Sequence, residues 1–309
     1  VGVPGGWASG LGLQAPDGGP LWTVFPAGDN PVKASIPTFL WTEAVTRGTS
    51  MGPEDGLRGA AKLDTNIKLI YAVASNALVN QHANLNRTTK ILQDERLVEF
   101  IAVQDNFLTP SARYADLVLP ACTQFETWGA ADGWKYGDEV FLSPMVVEPP
   151  GEARSDYRIC SDLAGRLGFG PAYTEGRTER DWAEWALARF REARYAGAPD
   201  LAGFEATNTG VHAMPVARPA VALADFRRDP AASPLRTPSG RIEIFSAALH
   251  ALGNAKEIPA VPKYVQEWES PFGPEANAFP LQAVGHHSMA RAHSTLEGVD
   301  WLEEAFPQR

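Results

Sequence analysis

Two short, almost wholly apolar runs, separated by a helix-compatible stretch, constrain this chain more than any other feature. Ile67–Val73 ends on the small residues Ala74, Ser75 and Asn76, and Val98–Val103 ends at Gln104 and Asp105. Apolar runs this short, bounded by turn-forming residues, suit strands buried on both faces of a parallel sheet. Between them, Gln81 to Gln93 carries helix-compatible residues, with Leu85, Ile91 and Leu92 available to pack. Strand, helix and strand within about 40 residues make a βαβ unit with a right-handed crossover. After a turn at Thr109-Pro110-Ser111, Leu117–Pro120 reads as a third short strand.

The remaining chain is consistent with an α/β protein of more than one folding unit. Gly (28) and Pro (25) are plentiful among the 309 residues, which argues for many loops and against an all-helical fold. Residues 1–60 read as an irregular covering segment, and 61–258 as the α/β domain, with a helical part at 155–197. Within that part, Ser155 or Asp156 caps a helix ending at Gly168, and Thr178 with Asp181 forms a capping box with Asp in the usual Glu position. The helix that follows puts Trp182, Trp185, Ala186, Leu187 and Phe190 on one face as core. Arg241–Phe245 alternates as a strand, 259–280 is a Pro- and Gly-rich linker, and Leu281–Gly285 opens a new element. The chain begins at Val1 inside a Gly/Pro loop and stops at Arg309 soon after that element opens, so an excised fragment is expected.

A net charge of −10 disfavours a nucleic-acid surface, which needs clustered Lys and Arg. No run approaches the roughly 18 apolar residues that span a bilayer, so direct membrane insertion is not expected. The two cysteines, Cys122 and Cys160, are too few for an iron–sulfur cluster and read as packing residues.

Three constellations can carry chemistry. The strand ends, Ser75-Asn76 and Gln104-Asp105, lie where open α/β sheets bind ligands, with loop amides suited to a diphosphate. The Asp105 carboxylate can accept paired N–H donors such as those of guanine, or it can cap the next turn. The second is the polar cluster Gln81-His82-Ala83-Asn84-Leu85-Asn86-Arg87 at a helix start, which is equally readable as surface. The third, His286, His287, Ser288, Arg291, His293 and Ser294, holds three of the six histidines. It reads as hydrogen-bond donors for a pterin, as a zinc site lacking a fourth ligand, or as a polar loop. No Walker, GxSxG, HExxH or full GxGxxG motif is present.

With these residues in view, the chain resembles the latter part of the catalytic subunit of the bis-molybdopterin guanine dinucleotide enzymes, in the membrane-linked DMSO reductase branch. Val1–Gly6 resembles the end of a TGN-x-G-x-PGG signature, and Phe39–Ala44 a segment of that branch. Asn76, Asn80, Gln81, His82, Asn84 and Asn86 resemble its cofactor loop. Gln104–Pro120 is the strongest match, followed by Thr237–Glu243 and His286–Ser294. Asn84 stands where Asp is common, and Trp128-Gly129-Ala130 replaces a pattern usually bearing Asp or Asn.

The resemblance implies a parallel-sheet dinucleotide-binding-like domain, followed at 281–309 by the incomplete start of a C-terminal β-barrel domain. It places Asn76 and its loop, with Ser75, Gln81 and His82, near the diphosphate or guanosine. Asp105, Gln104 and Asp116 would read guanine, and the 286–294 residues would line the pterin. It further implies molybdenum held upstream, room there for an iron–sulfur cluster, and oxygen-atom transfer from small S- or N-oxides. Formate or oxyanion chemistry, or a scaffold without catalysis, are the alternatives on this fold. The implied partners are an iron–sulfur electron-transfer subunit and a membrane anchor subunit, in a membrane-associated complex facing the periplasm. No residue here is nominated as catalytic, and the fragment alone is expected to be inactive.

Overall fold

The computed structural model describes residues 25–26, 28–80, 82, 84–132, 139–193, 195–207, 210–213, 223–267, 269–285, 289–290 and 299–307. The chain divides into two compact units, residues 1–222 and 223–309. In the first, strands β1 (Leu69–Val73), β2 (Phe100–Asp105) and β3 (Leu117–Pro120) form a parallel sheet in that order. Helices α1 (Trp41–Arg47), α2 (Ala77–Asn80) and α3 (Leu85–Leu92) accompany it. Val45, Leu78, Ile91 and Leu92 pack on Ile101 and Val103 of β2 in one buried cluster. Each such side chain contributes about 1.5–3 kcal/mol by leaving water. The apolar runs are strands, as the sequence pattern predicts, each beginning two residues later than the run itself.

An antiparallel sheet follows, from β4 (Gly129–Asp132), β5 (Glu139–Ser143) and β6 (Val211–Ala213), with β5 in the middle. The sequence pattern did not announce it. Val140 and Leu142 of β5 turn inward onto helices α6 (Glu179–Ala193) and α7 (Leu201–Glu205), where Ala186, Leu187, Phe190 and Phe204 complete a second core. Before these come α4 (Asp156–Arg166) and α5 (Gly170–Thr174). Ser155 Oγ caps α4 by accepting from Arg158 N at 3.1 Å, and Gly168 beyond its end takes φ +86°. The capping box before α6 is formed: Thr178 N donates to Asp181 Oδ2 at 2.8 Å, and Asp181 N to Thr178 Oγ1 at 3.2 Å.

The second unit contains α8 (Ala224–Arg228), α9 (Ala247–Ala251) and α10 (Asp300–Ala305). Two strand expectations fail here. Arg241–Phe245 has no strand partner among the described residues; its residues sit in a turn where Thr237 Oγ1 donates to Arg241 O and Ser239 N to Glu243 Oε1. Among the described residues of 281–309 there is likewise no strand: Leu281–Gly285 is irregular and 300–305 is helical. Alternation states which face a strand would bury, but a strand's hydrogen bonds come from a neighbour, and among the described residues neither segment has one.

Candidate cofactor-binding site

The carboxyl ends of β1 and β2 form a shelf that two side chains hold together. Ala74, directly after β1, takes φ +47°, a left-handed conformation costly for alanine, and its N–H still donates to Gln104 O at 2.9 Å. Ser75 Oγ accepts from Ala77 N at 3.2 Å. Asn76 Oδ1 then accepts from both Ser111 N (3.0 Å) and Ser111 Oγ (2.8 Å). Ser111 is fully buried, and its Oγ also accepts from Val79 N. The loops after β1 and β2 are thereby fixed against each other at the place where parallel sheets take ligands.

Asp105 ends β2 at this shelf, half-buried. Its Oδ1 accepts from Phe107 N at 3.2 Å, so the carboxylate does cap the next turn. Its Oδ2 has no partner among the described residues and keeps acceptor capacity for an incoming N–H donor.

Gln104 does not join it. Strand alternation turns its side chain to the opposite face, buried to 1% exposure, where it accepts from Tyr71 Oη and donates to Asp156 at the start of α4. Burial pushes the Tyr71 phenol above its ordinary value, with the nearby Cys160 and Asp156 adding to the effect.

Asp116 lies at the other end of the sheet. Its Oδ2 accepts from Ile101 N at 2.7 Å, and its own N–H donates to Ile101 O at 2.9 Å. Four strand residues, about 13 Å, separate Ile101 from Asp105, so the two aspartates do not meet one ligand edge.

His82 sits beside α1, its ring T-shaped to Trp41 at 5.4 Å. Its Nε2 and Trp41 Nε1 are both buried without a hydrogen-bond partner. Behind them Arg87 Nη1 reaches Glu43 Oε1 at 3.0 Å and Thr42 Oγ1 at 3.2 Å, and Asn84 Oδ1 caps α3 by accepting from Arg87 N. Burial alone raises the Glu43 carboxyl, but the Thr42 hydroxyl and the Arg87 charge outweigh it and hold the group below its ordinary value. Gln81, His286, His287, Ser288, Arg291, His293 and Ser294 lie outside the described residues.

Ser111 and Trp41 are the positions that residue-level reasoning missed. Both stand in segments that carry the family resemblance, but Ser111 meets Asn76 across 35 residues, a pairing that no local pattern announces.

Residues 24–166 match the family model "Molybdopterin oxidoreductase". The chain belongs to the molybdopterin oxidoreductase family. Dimethyl sulfoxide reductase DmsA of Escherichia coli (strain K12) is 40% identical over 302 residues, covering 92% of this chain and 36% of that protein. The dimethyl sulfoxide/trimethylamine N-oxide reductase of Cereibacter sphaeroides is 36% identical over 252 residues, covering 80% of the chain and 30% of that protein. The chain therefore spans about a third of the length of these molybdopterin oxidoreductase relatives. Among solved structures, the acetylene hydratase of Pelobacter acetylenicus superposes with a TM-score of 0.52 at 22% identity, over 87% of the chain and 32% of its own, which places the fold.

Proposed function

We propose that this chain supplies part of the binding shell for a bis-molybdopterin guanine dinucleotide cofactor in an oxidoreductase that acts on S- or N-oxides. When bound, the group supplies the redox chemistry of oxygen-atom transfer. The chain's residues bind and orient it. The observation carrying the reading is the shelf itself: Asn76 and Ser111 lock two strand-end loops, and the Asp105 carboxylate stands at their edge with an oxygen that no described residue uses. A carboxylate there fits a guanine edge, whose adjacent N–H groups both donate, and the loop after β1 stands where parallel sheets take a diphosphate. His82 and Trp41 lie on the flank of the same loop, and the 286–294 segment is assigned to the pterin side. Names of relatives that reduce sulfoxides and N-oxides support this substrate class. The proposal extends, on the sequence's resemblance to the membrane-linked DMSO reductase branch alone, to a partner electron-transfer subunit carrying iron–sulfur clusters, a membrane anchor subunit, and a membrane-associated, periplasm-facing complex.

Asp105→Asn in the full-length enzyme tests the reading. The change puts a donor NH₂ against a donor, at a cost of about 1–3 kcal/mol. Molybdenum and guanine nucleotide per protein should fall, while turnover per molybdenum stays near normal. Full cofactor content, with only a lower melting temperature, would leave Asp105 as a turn cap.

A further inference from the structure

Ala74 stands in a conformation that an alanine leaves when nothing holds it. Its φ of +47° lies in the left-handed region, where a Cβ lowers the population about 5–30-fold relative to glycine. Besides glycines, the described residues with positive φ are Ala74, Glu175 and Leu223. The last two sit at helix ends, Glu175 closing α5 and Leu223 preceding α8. Ala74 instead follows a strand, and its side chain is exposed, so burial of the methyl does not favour the turn.

Ties on either side of Ala74 account for the conformation. Upstream, Ala74 N donates to Gln104 O at 2.9 Å, so the chain is bound to β2 up to that nitrogen. Downstream, Asn76 Oδ1 accepts from Ser111 N and Ser111 Oγ, and Ser111 is fully buried. Val79 N adds a longer bond of 3.3 Å to the same Ser111 Oγ. Rotation about the N–Cα bond of Ala74 moves Ser75 and Asn76 relative to β2. The Asn76–Ser111 tie, two residues on, opposes that rotation.

We propose that Asn76 is a positioning residue that acts on the cofactor through Ala74: its latch holds an alanine left-handed, and the loop so held is the shape that the shelf presents. The inference rests on the cofactor reading above and adds how the loop keeps that shape. With the latch closed, the shelf has one arrangement. With it open, Ala74 returns to negative φ and carries Ser75 and Asn76 away from the end of β2. Affinity then falls with the fraction of molecules that remain left-handed. A glycine at this position would keep a large left-handed fraction unaided, because glycine takes positive φ about as readily as negative. Alanine makes the shape of the shelf conditional on Asn76.

A rescue experiment on the full-length enzyme tests this. Release of guanine nucleotide at raised temperature is followed for wild type, Asn76→Ala, Ala74→Gly and the double variant. Asn76→Ala should release nucleotide about 5–30-fold faster than wild type. In the Ala74→Gly background the same change should accelerate release only about twofold. Urea midpoints should move in the opposite sense. Asn76→Ala should lower the midpoint less with alanine at position 74 than with glycine, because opening the latch relieves the alanine. Equal acceleration of release in both backgrounds would overturn the proposal and leave Asn76 as a direct contact of the cofactor. An additive stability cycle would overturn it too. Release unchanged in every variant would overturn the cofactor reading itself, and this inference with it. Should Asn76→Ala fail to fold, Ser111→Ala, which removes one of the two donors, takes its place in the same cycle, with rescue by Ala74→Gly again expected.

Discussion

Asn76 and Ser111, 35 positions apart in sequence, are joined twice: one carboxamide oxygen accepts both the backbone N–H and the hydroxyl of a serine with no solvent exposure. Asn76→Ala leaves both buried donors without an acceptor. Urea unfolding should report a loss of about 1–3 kcal/mol. Asn76→Asp retains the acceptor oxygen and should lose less. Equal stability for wild type and the alanine variant would remove the latch from the account of the shelf.

Asp116 provides a control on the cofactor assignment. Its carboxylate accepts from Ile101 N at the far end of β2 from Asp105. Asp116→Ala should lower stability by about 1–3 kcal/mol, since a strand N–H loses a charged acceptor. Cofactor content of the folded full-length enzyme should stay unchanged. Reduced guanine nucleotide in stably folded Asp116→Ala enzyme would contradict the placement of these two aspartates at separate ends.

Glu43 gives a pH dependence. Its folded-state carboxyl lies below the ordinary value of 4.5, with the Thr42 hydroxyl and Arg87 overcoming the opposing effect of burial. A depressed acid stabilises the fold above its unfolded value and ceases to do so as pH falls through the lower folded value. Glu43→Gln should therefore be less stable than wild type near neutrality, by about 0.2–1 kcal/mol for so accessible an ion pair. The gap should close on acidification below the ordinary glutamate range. Melting temperatures of both proteins across that range check it; a gap that widens at low pH has the wrong sign.

Phe190 sits at 0% exposure between α6, β5 and α7. Phe190→Ala should cost about 3–5 kcal/mol through lost transfer energy and the cavity left behind. The reading is again urea unfolding, and a cost under about 1 kcal/mol would mean that this core collapses to fill the void.

The elements legible in the sequence are those whose signal is local. The two apolar runs announced β1 and β2, Leu117–Pro120 was read with its observed bounds, and the Ser155 and Thr178 caps were visible because a cap is a matter of three or four neighbouring residues. The antiparallel sheet was not, because β6 reaches β5 from about 70 residues away and β4 holds only Gly-Ala-Ala-Asp. Arg241–Phe245 shows the converse: the pattern of a strand with no neighbour to bond among the described residues. At the site, position along a strand was legible for Asp105. Spacing could not show that Gln104 turns to α4 or that Asp116 sits at the opposite end, because both depend on strand direction and register.

The separation of the two sheets along the chain also sets an order of assembly. All three strands of the parallel sheet, with the Asn76–Ser111 latch, lie within residues 69–120, whereas β5 cannot gain its second neighbour until Val211–Ala213 has been made. At translation rates of about 5–20 residues per second, those 91 further residues represent roughly 5–18 s. During that interval the ribosome-bound chain has every partner it needs for the β1–β3 sheet, while Val140 and Phe141 wait unpaired on one side. The contacts of the cofactor shelf can thus close earlier in synthesis than those that complete the β4–β6 sheet.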